Sequence, residues 1–341
     1  MTENGCCCGS SNGCCGTSGI LAVSTRLLFQ DWLGAWKVRW GIGRMDYTID
    51  PGIYAVGKPD KTSPVLVSAN YKLTFDTLRK NLVGLDCWLL ILDTKGINVW
   101  CAAGKGTFGT EELIKRIEAV GLSKIVAHKK LILPQLGASG VNSNEVTKRT
   151  GFPVTFGPIR ASDIKAFIAA DCNATSEMRT VKFTLRDRLV LTPMELMPAS
   201  KVSLMVFGVL FLINLLAARP FGTGDFLAYA AAVLIGTVIT PILLPFIPGR
   251  AFALKGWLLG AIGTALIVWT YGWFASPFLL LGIGYMLVLP AHSAYLAMNF
   301  TGSSTYTSPS GVLKEMKIAL PFIVISLLAG VALILIKTFM G

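Results

Sequence analysis

Apolar residues in this chain follow two regimes. Between about residue 53 and residue 170 they come in short runs, separated by stretches in which they recur every three or four positions; beyond residue 200 they continue almost without interruption. In the first regime residues 64–68, 87–92, 124–127 and 154–156 read as strands, and residues 74–83, 111–120, 144–149 and 161–170 as helices. Thr110 is placed to cap the second of these helices, and Glu111 and Glu112 suit its positive end. Such alternation predicts an α/β domain with an open, mostly parallel, Rossmann-like sheet and helices on both faces. Ahead of it, residues 20–40 predict an amphipathic helix carrying Leu27, Leu28, Phe29, Trp32, Leu33, Trp36 and Trp40. That helix packs on its own domain or, given Arg26, Lys37 and Arg39, lies on a membrane surface. Behind the domain, residues 180–200 read as an extended connector, because Pro193 and Pro198 oppose helix.

The second regime holds five apolar runs, near residues 202–218, 226–246, 256–274, 277–297 and 318–336, each long enough to span a hydrocarbon core. The chain thus divides into a Cys-rich segment (1–18), an α/β domain (19–180), a linker (181–201) and an all-α membrane domain of five transmembrane helices (202–341). With the N-terminal domain inside, Lys201, Arg250, Lys255, Lys314 and Lys317 fall on the cytoplasmic side, and only Arg219 and Lys337 outside. This bias predicts a multi-pass protein of the cytoplasmic (inner) membrane with its α/β domain in the cytoplasm. A mean hydropathy of +0.60 agrees with a bilayer as partner. The net charge of +12 does not point to nucleic acid, since the Lys and Arg residues are scattered and form no dense block or aromatic-interleaved stripe.

Eight cysteines are present, five of them as Cys6, Cys7, Cys8, Cys14 and Cys15. No basic stretch followed by an apolar one precedes them, so no signal peptide is read, and reduced thiols are expected. The cluster lacks His and C-x-x-C spacing, which argues against a structural zinc site; thiolates on a flexible Gly/Ser/Asn segment suit capture of soft ions such as Hg(II). Gly104-Lys105 is not a phosphate loop, because Val99 stands where Gly is required and Gly106 where Ser or Thr is required. Gly41-x-Gly43 lacks the third glycine of a dinucleotide fingerprint, with Asp46 in its place.

The most informative cysteine is Cys101, in Asn98-Val99-Trp100-Cys101-Ala102-Ala103-Gly104-Lys105, between a strand and a helix. Crossovers of this kind are where α/β proteins bind ligands. The segment resembles the cap-helix motif of the corrinoid proteins of microbial mercury methylation (the HgcA family). The five apolar runs after the α/β half fit the same resemblance. It implies a corrinoid (cobalamin) cofactor cycling between methylated Co(III) and Co(I), with Cys101 as lower axial cobalt ligand. Only His128 and His292 are available as imidazoles, and neither lies in an Asp-x-His-x-x-Gly setting. A second stretch, residues 67–76, is similar to a loop in the corrinoid domain of the large corrinoid iron–sulfur protein subunit of the acetyl-CoA pathway. That similarity implies Asn70, Thr74 and Ser139 as ring contacts beside residues 98–105.

The resemblance implies transfer of a methyl group from cobalt to Hg(II), giving methylmercury. A thiolate opposite the methyl would favour its departure with both bonding electrons. It also implies two partners: a ferredoxin-like protein with two [4Fe-4S] clusters (HgcB) and a methyltransferase drawing on methyltetrahydrofolate. No cysteine spacing here matches an Fe–S run. Two alternatives stay open: a membrane-anchored corrinoid methyl carrier of the acetyl-CoA pathway, and a heavy-metal transporter with a thiol-rich cytoplasmic domain.

Overall fold

A computed structural model describes residues 19–217 and 219–340. The expected Cys-rich segment, with Cys6, Cys7, Cys8, Cys14 and Cys15, lies outside the described residues. The chain forms two compact units, one of residues 19–38 and 42–181, the other of residues 39–41 and 182–340.

The strands of the first unit are β1 (Leu21–Val23), β2 (Gly52–Val56), β3 (Val65–Ala69), β4 (Cys87–Leu92), β5 (Leu131–Leu133) and β6 (Val154–Phe156), joined in the order β1-β2-β4-β3-β5-β6. Every neighbouring pair is parallel except β2 with β4. The helices are α1 (Phe29–Arg39), α2 (Lys72–Arg79), α3 (Val99–Lys105), α4 (Thr110–Ala119), α5 (Leu122–Ile125), α6 (Ser143–Thr150) and α7 (Ile164–Ala169). Both faces of the sheet are covered, which is why β3 and β4 are continuous apolar runs. Val65, Val67, Leu90 and Leu92 pack with Ala102, Phe108, Leu113 and Phe152 on one face. Leu66, Leu89 and Ile91 pack with Phe75, Leu82 and Phe167 on the other.

Four local expectations are corrected. Residues 124–127 are not a strand. Gly121 takes a left-handed φ of 58° and turns the chain into α5, whose Leu122 is fully buried, and the strand falls instead on the buried run Leu131–Leu133. Residues 20–40 are not one helix, because Leu21–Val23 pairs in parallel with β2 and the helix starts only at Phe29. Thr110 does not cap α4; it is the first helical residue, and its Oγ1 accepts the Asn142 backbone N–H at 2.9 Å. Residues 185–200 are not an extended connector but the first half of a helix, Leu185–Asn214. Thr184 and Asp187 form a capping box that starts it. The carbonyl of Leu189, which Pro193 has no N–H to serve, receives the Thr192 hydroxyl at 2.9 Å.

A buried ionic network fastens α1 to the domain. Asp31 pairs with Lys72 and with Arg79, at 2.5 and 2.7 Å, and Asp76 pairs with the same two cations at 2.7 Å each. Burial by itself would raise the Asp31 pKa. The hydrogen bonds from Lys72, Leu28 N–H and Arg79 outweigh it and hold the carboxyl below the 3.8 of an ordinary aspartate.

The second unit holds five helices long and apolar enough to cross a membrane. They are α8 (Leu185–Asn214); a composite of α9 (Thr223–Leu234), a π-helical turn (Ile235–Ile239) and α10 (Thr240–Leu243); α11 (Phe252–Thr270); α12 (Leu279–Asn299); and α13 (Pro309–Met340). Without water to drive apolar association, such helices approach through small residues. A Cβ on Gly256 would stand 2.5 Å from Ala297 Cβ, and one on Gly260 2.8 Å from Ser293 Cβ, so this Gly-x-x-x-Gly pair seats α11 on α12.

Asp31→Asn removes one anion from a network whose side chains are largely buried, and is expected to destabilise the α/β unit by about 1–3 kcal/mol near neutral pH. Because the folded pKa of Asp31 is depressed, its contribution is present above the unfolded value of 3.8 and disappears as pH falls through the lower folded value. The gap between wild type and Asp31→Asn in denaturant titrations should therefore close in acid. A gap that persists undiminished below that range would contradict the assignment.

Candidate functional site

The chain leaves β3 at Ala69, β4 at Leu92 and β5 at Leu133, and these parallel strands end along one edge of the sheet. The loops that follow carry Asn70, residues 93–98 and residues 134–142, so three stretches distant in sequence meet there.

Asn70 organises the edge. Its side chain is buried, and its Oδ1 accepts the backbone N–H of Thr94 at 3.0 Å and of Gly96 at 3.1 Å. The Thr94 hydroxyl lies between the same Oδ1 (2.9 Å) and the Ile97 carbonyl (2.7 Å) and donates its single proton to one of them. The Asn70 amide donates to Asp93 at 3.4 Å. Lys95 and Gly96 both take positive φ, 56° and 69°. Gly96 also packs so closely that a Cβ would stand 2.9 Å from the Met45 carbonyl oxygen and 2.8 Å from Thr48 Cγ2. Asn70, expected as a ring contact, uses its side chain to shape the turn that delivers α3. The sequence reading missed Asp93, Thr94 and Gly96, although Asp-Thr-Lys-Gly after an apolar strand is a turn signal that marks them.

The turn ends at Asn98, which caps α3 by accepting the Cys101 N–H on its Oδ1 at 2.9 Å. Along α3 the spacing separates two faces. Val99, Ala102 and Ala103 are buried against the sheet. Trp100, Cys101, Gly104 and Lys105 point outward. A Cβ on Gly104 would meet nothing within 4 Å, so the backbone there is bare beside Cys101. Gly106, at φ 80°, closes the helix.

The β5 loop packs under α3: a Cβ on Gly140 would stand 2.2 Å from the Phe108 carbonyl oxygen and 3.0 Å from Ala103 Cα. Ser139, in that loop, is exposed. Thr74 lies in the first turn of α2 and is partly buried; that helix begins at Tyr71 with no side-chain cap, so neither Asn70 nor Thr74 caps it.

Cys101 is the exposed cysteine among the described residues. Cys87 is fully buried in β4, and burial pushes its thiol up to about 12. Cys172 is half-buried, and burial raises it as well. His128 precedes β5, at the opposite end of that strand from the site loop. Both its ring nitrogens are occupied, Nε2 by the Ser63 carbonyl at 2.8 Å and Nδ1 by the Lys130 N–H at 3.1 Å. No group of three or more His, Cys, Asp or Glu side chains among the described residues is arranged to hold a metal ion by itself.

Residues 43–168 match the family described as the CO dehydrogenase/acetyl-CoA synthase delta subunit. The match spans Asn70, Thr74, the whole of α3 and Ser139, and stops before the long apolar helices. The chain is 33% identical over 127 residues to the acetyl-CoA decarbonylase/synthase complex subunit gamma of Methanocaldococcus jannaschii, covering 37% of this chain and 26% of that protein. It is 34% identical over 122 residues to the same subunit of Methanopyrus kandleri, 35% and 26% of the two chains. Against subunit gamma 2 of Methanosarcina thermophila it is 36% identical over 120 residues, 34% and 25% of the two chains. The chain thus spans about a quarter of the length of these curated relatives.

Asn70→Ala leaves two buried backbone N–H groups without an acceptor, at an expected cost of about 1–3 kcal/mol. The loss should be local. Hydrogen exchange of the full chain is expected to accelerate at Thr94, Gly96 and Cys101, while the amides of β3 and β4 keep their protection. Uniform acceleration across the sheet would mean that Asn70 supports the core and not the turn.

Proposed function

We propose that the α/β unit binds a corrinoid at the edge formed by Asn70, residues 94–105 and residues 135–140. In this reading the chain passes on a methyl group there while its long helices anchor it in a bilayer. The observation that carries this is the outward face of α3: an exposed thiol on a capped helical turn, flanked by the bare backbone of Gly104 and the indole of Trp100, which is 43% exposed. A broad flat macrocycle needs such a face, since any larger side chain at position 104 would hold it away from the sulfur. The likeness of residues 43–168 to subunits named for acetyl-CoA synthesis supports the same cofactor class.

In this reading Cys101 Sγ would be the chain's donor to the corrinoid cobalt. Asn98 fixes the turn, Val99, Ala102 and Ala103 seat it on the sheet, and Trp100, Gly104 and Lys105 border the ring. Ser139 offers its hydroxyl from the β5 loop, and Thr74 lies in the first turn of α2. The corrinoid, when bound, supplies methyl transfer at cobalt, which a sulfur ligand biases toward release of the methyl with its bonding electrons. The chain's part is to present one thiol on a short helix whose inner face is buried against the sheet. We place the unit on the cytoplasmic side, on the Lys and Arg bias of the loops.

The names of the relatives favour a methyl carrier that delivers to another subunit of a complex. Cys101 favours a second acceptor, Hg(II), a soft electrophile suited to a methyl released with its electrons. That acceptor brings with it a ferredoxin-like partner with two [4Fe-4S] clusters and a methyltransferase using methyltetrahydrofolate.

Anaerobic absorption spectra of the full chain with methylcobalamin separate these readings. Wild type is expected to bind with a sulfur-ligated spectrum, Cys101→Ala to bind without that spectrum, and Gly104→Leu to bind at least about tenfold more weakly, or 1.4 kcal/mol. Absence of binding by folded wild-type protein would overturn the corrinoid assignment. Methylmercury formation that disappears in Cys101→Ala would select Hg(II) as acceptor. Methyl delivery to an acetyl-CoA-forming partner that survives Cys101→Ala would select the carrier.

A further inference from the structure

The helix α1 is turned the wrong way round for a helix on a water-facing surface. At 100° per residue, Asp31, Ala35 and Val38 lie on one side. Ala35 and Val38 are buried, Asp31 reaches inward to Lys72 and Arg79, and Gly34 beside them sits against the Tyr47 ring. The opposite side carries Phe29, Trp32 and Leu33, with Leu28 just ahead of the helix. These are 79%, 56%, 39% and 44% exposed, respectively. The apolar stripe expected to pack on the domain therefore faces away from it.

Cations border the stripe. Arg26, Lys37 and Lys80 are exposed, and the Lys80 ammonium lies 5.8 Å from the centre of the Trp32 ring. The one acid on α1, Asp31, is paired inward. Aromatic and aliphatic side chains bordered by cations match the boundary between anionic headgroups and acyl chains. The same chain carries, among its described residues, five helices long and apolar enough to cross a membrane.

We propose that α1 lies in the lipid surface, with Leu28, Phe29, Trp32 and Leu33 inserted at the headgroup–acyl boundary and Arg26, Lys37 and Lys80 among anionic headgroups. The bond from Asp31 to Lys72 and Arg79 makes this contact rigid, because α2 begins where β3 ends, next to Asn70. Seating α1 would thereby fix the distance of the Cys101 edge from the bilayer. The inference does not depend on which ligand that edge binds.

The test is photo-crosslinking of the full chain in nanodiscs, with Trp32 replaced by p-benzoylphenylalanine and, as a control, the same replacement at the exposed Lys115 on α4. Adducts to lipid acyl chains at position 32, absent at position 115 and more abundant when phosphatidylglycerol is mixed into phosphatidylcholine, are the expected result. Lys37→Glu with Lys80→Glu should remove the enhancement by anionic lipid while leaving circular dichroism unchanged. Adducts from position 32 to residues 185–340 of the same chain would overturn the proposal by showing that the stripe is covered by protein. Adducts to a second copy would overturn it in favour of a dimer face. Failure to form any adduct, with position 32 open to water-soluble labels, would leave α1 in solvent and overturn it equally.

Discussion

The Oδ1 atom of Asn70 accepts two backbone N–H bonds, from Thr94 and Gly96, and so ties the end of β3 to the turn after β4. A parallel pair of strands has no hairpin to set the relation between their ends, so the loops at that edge are free unless something crosses between them. The amide side chain makes this crossing, and Lys95 and Gly96 supply the left-handed backbone that lets two N–H groups converge on one acceptor. Everything downstream inherits that geometry. Asn98 begins α3, Val99, Ala102 and Ala103 bury its inner face, and Cys101 is left on the outer face beside a glycine. The backbone that carries the thiol is thereby positioned through two hydrogen-bonded turns and a sheet.

The contrast among the described cysteines follows from the same architecture. Cys87 belongs to a central strand covered on both faces, where desolvation disfavours the thiolate. Cys101 belongs to a helix only seven residues long, whose small inner residues let it lie flat on the sheet, and it remains in the open. Position in the fold separates an inert sulfur from an available one, although the two residues are chemically identical.

The two units solve the problem of apolar burial by different physics. In the α/β unit the sheet is sealed by helices on both faces, and the ionic network of Asp31, Lys72, Asp76 and Arg79 attaches α1, whose outer face is apolar. In the apolar unit the helices meet through glycine, alanine and serine, as at Gly256 and Gly260 against Ala297 and Ser293. Pro193 lies inside the helix Leu185–Asn214. The carbonyl it orphans is served by the neighbouring Thr192 hydroxyl, and the helix continues.

The sequence alone determined the features that depend on local pattern. Apolar runs marked β3, β4 and β6 and the five long helices, and the Asn98–Lys105 segment marked the cysteine, because period, run length and a cap residue are all properties of neighbours in the chain. Tertiary structure decided the rest. Leu21–Val23 becomes a strand only because β2 offers it an edge, and residues 122–125 coil because Gly121 turns the chain over a core already filled by Leu122. The roles of Asn70, Thr94 and Gly96 were not legible, since they consist of contacts across 24 to 26 residues of chain that no local pattern encodes. The direction in which α1 turns its aromatic side was equally hidden. The spacing of Phe29, Trp32 and Leu33 defines a stripe, but only the inward pairing of Asp31 with Lys72 and Arg79 determines that the stripe faces out.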